Sequence, residues 1–293
     1  MSVQKGEICV NLANCPTTKN SSSTNSSVTP TNESLSVRAN NFTFLGAIAS
    51  NGAIDLSQVK NNSVIDTLNL NENAALQANN LTITNAFNNA SNSTANINGN
   101  FTLNQQATLS TNASGLNVMG NFNSYGDLVF NLSHSVSHAI INAQGSATIM
   151  ANNNNPLIQF NTSSKEVGTY TLIDSAKAIY YGYNNQITGG SSLDNYLKLY
   201  TLIDINGKHM VMTDNGLTYN GQAVSVKDGG LVVGFKDSQN QYIYTSILYN
   251  KVKIAVSNDP INNLQAPTLK QYIAQIQGTQ GVDSIDPVSY THL

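Results

Sequence analysis

The sequence predicts an all-β chain built as a parallel β-helix, or solenoid, with antiparallel hairpins toward the C-terminal end and a short terminal helix. Three observations carry this expectation. Through residues 64–160, short apolar triplets recur between tracts of Asn, Ser and Thr, the alternation of half-buried strands. LNLNENAALQANNLTI and FTLNQQATLSTNASGLNV align with Ala74 over Ala107, Leu76 over Leu109 and Asn79 over Asn112, an offset of about 33 residues that suits two turns of a coil. Turn dipeptides then mark hairpins at Asn206-Gly207, Asn215-Gly216, Asn220-Gly221 and Asp228-Gly229.

Composition narrows the class further. Charged residues make up 10% and hydrophobic residues 40%; disordered chains combine high charge with low hydrophobicity, so this one can fold with an uncharged polar surface. About one residue in seven is Asn, a residue that suits repeated turns because it tolerates the left-handed region. A net charge of -3 and scattered Lys and Arg give no electrostatic basis for holding phosphate backbones, and nucleic acid is not an expected partner.

In chain order, residues 1–34 read as a low-complexity polar linker with a cysteine pair. Cys9 and Cys15 are the two cysteines of the chain; their spacing suits a small disulfide loop in an oxidising compartment, and the alternative is a pair of free thiols. No further ligands stand nearby for a zinc site. The first ten residues lack a basic start and apolar core, so they do not read as a signal peptide, and the chain reads as a fragment of an exported protein. The Asn-X-Ser/Thr triplets at Asn20, Asn25, Asn41 and Asn100 are expected by chance in such a composition. Residues 35–166 are assigned to the coils, with Leu68 and Leu70 inward and Asn69 outward, and about five coils fit between residues 64 and 160. In HSVSH, His134 and His138 have the four-residue spacing of a helical zinc pair, but the flanking alternation predicts strand or loop, where the rings lie about 13 Å apart. His209 stands alone. No metal or other cofactor is expected. Residues 167–265 form a Tyr-rich β region that continues or caps the solenoid and repeats YTLID at Tyr170 and Tyr200. Residues 266–286 are read as a short helix and linker, with Thr268 as cap and Gly278 as stop. Residues 287–293 read as a non-native tail.

The segment YYGYNNQITGGSSLDNYLKLYTLIDINGKHMVMTDNGLTYNGQAV, continuing to NKVKIAVSNDP, resembles the vacuolating-cytotoxin-like autotransporters of Helicobacter, specifically over residues 168–286 and by repeat style over the coils. The resemblance implies a passenger region displayed as a right-handed parallel β-helix and carried across the outer membrane by a C-terminal barrel that lies outside this fragment. Gly168, Tyr170, Leu172 and Ile173 are similar to strand starts near the C-terminal end of many passenger domains, where folding is thought to begin. The fragment lacks the long apolar segment with which the cytotoxin forms pores, so that activity is not carried over.

The expected function is that of a surface-exposed or secreted structural stalk with a role in host contact, adhesion or colonisation, the partner being a host cell surface or an extracellular ligand. One rival is the receptor-binding part of a pore-forming toxin. Another is a β-helix enzyme acting on polysaccharide, which would need carboxylates clustered on one groove; Asp55, Asp66, Asp127 and Asp174 are dispersed along the chain, no serine-nucleophile elbow is visible, and no enzymatic activity or catalytic residue is expected.

Overall fold

A computed structural model of the chain describes residues 2–3, 7–10, 34–112, 114–132, 136–151, 158–162, 167–183, 186–187, 198–227, 232–236, 240–248 and 250–258. The first strands are β1 (Ser2–Val3), β2 (Glu7–Val10), β3 (Leu35–Ala39), β4 (Phe42–Ser50), β5 (Ala53–Val59), β6 (Ser63–Leu70), β7 (Ala75–Ala78), β8 (Leu81–Asn89), β9 (Thr94–Ile97), β10 (Phe101–Leu103), β11 (Thr108–Thr111), β12 (Gly115–Val118), β13 (Phe122–Ser124), β14 (Asp127–Leu132), β15 (Ile141–Ala143), β16 (Ala147–Ala151) and β17 (Ile158–Thr162). After them come β18 (Gly168–Ser175), β19 (Ile179–Tyr183), β20 (Gln186–Ile187), the 3-10 turn η1 (Lys198–Leu202), β21 (Ile203–Ile205), β22 (Lys208–Thr213), β23 (Gly216–Tyr219), β24 (Gln222–Ala223), β25 (Ser225–Lys227), β26 (Val232–Lys236), β27 (Tyr242–Ile247) and β28 (Lys251–Ser257).

These strands wind into a three-faced solenoid. Face 1 stacks β3, β5, β7, β9, β12, β15 and β18 in parallel. Face 2 stacks the first halves of β4, β6 and β8 with β10, β13, β16 and β19. Face 3 stacks the second halves of the same three strands with β11, β14, β17 and β21. On face 2, β6, β8, β10, β13 and β16 supply five rungs between residues 64 and 160, as expected.

The coil length differs from the expected one. Leu35, Ile54, Leu76, Ala95, Leu116, Ile141 and Ile173 form one ladder, so successive coils are 19, 22, 19, 21, 25 and 32 residues long. Leu76 therefore stacks on Ala95, and Leu109 stacks on Phe87 and Leu128 on another face. The 33-residue alignment overlays two different faces, because all three use the same apolar-polar-apolar triplet followed by a polar corner.

The first boundary also moves. Ser2–Val3 and Glu7–Val10 pair in parallel with β4, so pairing begins inside the stretch read as linker. Past residue 166, β18, β19 and β21 are full rungs of the three faces before the antiparallel hairpins begin. The expected terminal helix around Leu269 to Gly278 and the tail at residues 287–293 lie outside the described residues, as does Asp228-Gly229.

Alternation places every second side chain inside. Leu68 and Leu70 are buried while Asn69 faces outward. On face 2 the inward column runs Phe42, Ser63, Leu81, Phe101, Phe122, Ala147 and Ile179, and all seven are buried. Within it the Phe101 and Phe122 rings stack with centroids 5.4 Å apart and planes 4° from parallel, the offset geometry that aromatic quadrupoles favour.

Asparagine organises the corner between faces 1 and 2. The Asn80 side-chain amide donates to the Asn61 carbonyl (2.6 Å), and the Asn100 and Asn121 N–H groups donate to the Asn80 and Asn100 side-chain oxygens (2.8 Å each). Ser146 N–H continues the series to Asn121 Oδ1 (3.0 Å). Such a ladder satisfies corner backbone groups that no strand pairs, coil after coil. It also needs room: a Cβ on Gly120 would lie 2.5 Å from Asn100 Oδ1 and 2.6 Å from Gly99 O.

Other corners use four-residue turns. Ala74, Ser93 and Ala107 N–H donate to the carbonyls of Asn71, Ala90 and Asn104, with Asn73, Asn92 and Gln106 at φ of 64°, 59° and 68°. This left-handed region suits Asn and disfavours most other side chains. Gln106→Asn is accordingly expected to stabilise the chain by about 0.5–1 kcal/mol, a melting-temperature rise of about 2–4 °C per kcal/mol.

Antiparallel hairpins close the C-terminal end. β28 pairs antiparallel with β18, and β27, β26 and β25 follow it to extend face 1. On face 3, β21 to β24 form a meander. Asn206-Gly207 and Asn220-Gly221 are its two-residue loops with both residues at positive φ, as those dipeptides predict, whereas the middle loop is Asp214-Asn215 and Gly216 already opens the next strand. The two sets of hairpins meet where Tyr219 stacks on Phe235 with centroids 3.7 Å apart, and Met210, Leu217 and Tyr219 join the solenoid core. A solenoid end must be covered to hide its last apolar rung, and this meeting does so.

Candidate functional site

The outward row of face 1 is polar from end to end. Ser36, Asp55, Gln77, Asn96, Asn117, Asn142, Asp174 and Lys251 are register partners in succession. Asn117 Nδ2 donates to Asn96 Oδ1 at 3.0 Å, and the Lys251 ammonium meets Asp174 Oδ2 at 2.6 Å. That ion pair fastens the cap to the last parallel rung.

A recess opens on this row beside a lengthened coil. Between Leu116 and Ile141 the coil takes 25 residues. The extra chain is pinned by Leu116 N–H to Ile140 O (2.8 Å) and Ile140 N–H to Thr171 O (3.0 Å), which sets His138 and Ala139 beside Gly115. They wall a cavity of about 460 Å³ floored by Asn117, Asn142 and Asp174 and bounded by Asn92 and Thr94 on the opposite side. Hydrogen bonds tie the corner beneath: buried Ser93 donates to Asn89 Oδ1 and Ala90 O (2.5 Å each), and buried Ser114 donates to Asn89 O (3.2 Å) and to Ala90 O.

Most residues singled out from the sequence are not brought together. Asp55 and Asp174 share the outward row but stand five rungs apart, about 24 Å at the usual strand spacing. Asp66 accepts from Thr84 (3.1 Å) on the corner between faces 2 and 3, and Asp127 opens β14 on face 3. No group of three or more His, Cys, Asp or Glu residues is positioned for a metal among the described residues. His138 lines the groove, and His134 lies outside the described residues, so their separation is not defined. His209 is exposed opposite Asp204 on the first hairpin. Cys9 sits in β2 opposite Ala49, while Cys15 lies outside the described residues. Sequence reasoning missed Gly115, Asn117 and Asn142; the signal available was the lengthened spacing around HSVSH, which interrupts the triplets where a wall can form.

Two carboxylates carry perturbed protonation of opposite sign. Asp55 is held below the usual carboxylate range by hydrogen bonds from the Ser57 hydroxyl and N–H. Its contribution is present above the unfolded value and is lost as pH falls through the folded one. Partial burial instead raises Asp127. Its native state binds the proton more tightly than the unfolded chain, so stability declines as pH rises through the interval between the two values. Asp127→Asn is expected to raise the melting temperature at pH 7, with the gain vanishing below both values; thermal melts across pH 2–7 check it.

Fold and groove together define a capped three-faced β-solenoid with a walled polar recess on face 1. No family model, no curated protein and no solved structure matches the chain. No helix among the described residues is long and apolar enough to cross a membrane, which leaves strand-based spanning untouched.

Proposed function

We propose that this chain is a passenger segment of a vacuolating-cytotoxin-like autotransporter, a surface-displayed or secreted stalk that contributes to host contact, adhesion or colonisation. The observation that carries the reading is the role of Gly168–Ser175, the strand with the Gly168, Tyr170, Leu172 and Ile173 pattern: it is the rung on which the antiparallel cap docks. A cap formed on the last rung gives newly exported coils a template on which to stack, since each coil buries its apolar edge only against a neighbour. The surface agrees with display outside the cell. Corner asparagines pair with one another instead of projecting charge, and side-chain ladders such as Asn69 to Asn88 (2.7 Å) and Asn131 to Asn161 (2.9 Å) continue on face 3.

Protease treatment of intact cells of the bacterium that makes the protein tests the proposal. Loss of the chain from intact cells, with a cytoplasmic marker spared, is the expected result. Complete protection until lysis, with recovery in the cytosolic fraction, would overturn it.

A further inference from the structure

We propose that the recess on face 1 binds a neutral oligosaccharide. Its floor presents the side-chain amides of Asn117 and Asn142, each able to donate and accept, beside the Asp174 carboxylate, with Thr94 and His138 on the walls. Vicinal hydroxyls need this mixture of donors and acceptors. The cavity, about 460 Å³, lies within the usual ~300–1,000 Å³ of small-molecule sites. Floor groups recur at the rung spacing of about 4.8 Å, which suits a chain of linked rings laid along the solenoid axis.

Charge selects against other ligands. Asp174 is the single carboxylate among the described lining residues, and its charge is matched by Lys251 at 2.6 Å. Among the described residues no Lys or Arg lines the recess, and the nearby Lys251 ammonium is already paired with Asp174, so an anionic sugar or a phosphate meets no unpaired counter-charge there. A lone paired carboxylate also does not supply the two carboxyl groups that glycoside hydrolysis uses, so the recess is assigned binding and not cleavage. Gly115 keeps it open: a Cβ there would meet only Asn117 Nδ2 and His138 Nε2, both at 3.9 Å, so a larger side chain can fill the recess without disturbing the core. The proposal stands apart from cellular location, because the purified chain suffices to test it.

Calorimetric titration with maltotriose, chitotriose and trigalacturonate compares wild type, Gly115→Ile, the pair Asn117→Ala with Asn142→Ala, and Gln77→Ala on the same row outside the recess. At least one neutral trisaccharide is expected to bind with a Kd of about 1 mM or tighter, weakened about tenfold or more by Gly115→Ile and by the double variant and unchanged by Gln77→Ala. Circular dichroism verifies folding, and the double variant decides the matter if Gly115→Ile does not fold. Failure of both neutral sugars to bind, binding indifferent to the recess variants, or tighter binding of trigalacturonate would each overturn the proposal.

Discussion

Replacing Phe101 with alanine is expected to destabilise the solenoid by about 3–5 kcal/mol. Phe101 is fully buried, stacks on Phe122 at 5.4 Å and meets Phe87 at 6.1 Å with planes tilted 38°. It thus joins the face 2 column to the face 3 column in the middle of the coils. Truncation removes the transfer energy of the ring and leaves a cavity that rungs fixed above and below cannot collapse to fill. Because each coil contacts only its neighbours, the loss also weakens coupling between the two halves of the stack. Denaturant unfolding should show the midpoint falling and the transition broadening or splitting. An unchanged midpoint would mean that the ring does not lie between rungs.

The second large effect concerns the asparagine corner. Gly120→Ala is expected to cost about 1–3 kcal/mol or more, although alanine usually stabilises a strand or turn relative to glycine when φ allows it. The penalty is steric: the new methyl would sit 2.5 Å from Asn100 Oδ1 and 2.6 Å from the Gly99 carbonyl, and the second of these is backbone. Relief requires breaking the bond from Asn121 N–H to Asn100 Oδ1, so the ladder opens at that coil. Gly115→Ala is the matched control, because its methyl meets nothing closer than 3.9 Å. Parallel thermal melts of the two variants should separate by several degrees, with the control close to wild type.

Much of this architecture was legible in the residues. Alternating triplets such as Leu68-Asn69-Leu70 specify which side chains enter the core, and Asn206-Gly207 and Asn220-Gly221 specify hairpins through their backbone preferences. Coil length was not legible, because Leu76 on face 1 and Leu109 on face 3 occupy equivalent local patterns and only pairing between coils tells the faces apart. The abundance of Asn predicts turn chemistry, yet Asn80, Asn100 and Asn121 act through side-chain bonds to the next coil. A bond between residues about 20 apart leaves no local signature. The two YTLID copies show the same limit. Tyr170 lies in β18, paired antiparallel with Ile254 of β28, whereas Tyr200 lies in the 3-10 turn before β21 and its hydroxyl accepts from Ile247 N–H at 3.4 Å in the cap. Recess residues were hidden for a related reason, since neither Gly115 nor Asn142 carries a motif and only the pinned segment before β15 makes them neighbours.

Engineered disulfides report on the register of about 20 residues per coil. With Cys9 and Cys15 replaced by serine, Asn96→Cys with Asn117→Cys joins side chains that already meet at 3.0 Å on adjacent rungs, a geometry compatible with bridging. Asn96→Cys with Asn112→Cys has the 16-residue offset of a shorter coil; the backbone N–H of Asn112 instead bonds Asn89 O at a different corner. Rapid, near-complete oxidation of the first pair with the second remaining reduced is the predicted result. Oxidation of the second pair in preference to the first would contradict the register and the three-faced coil built on it.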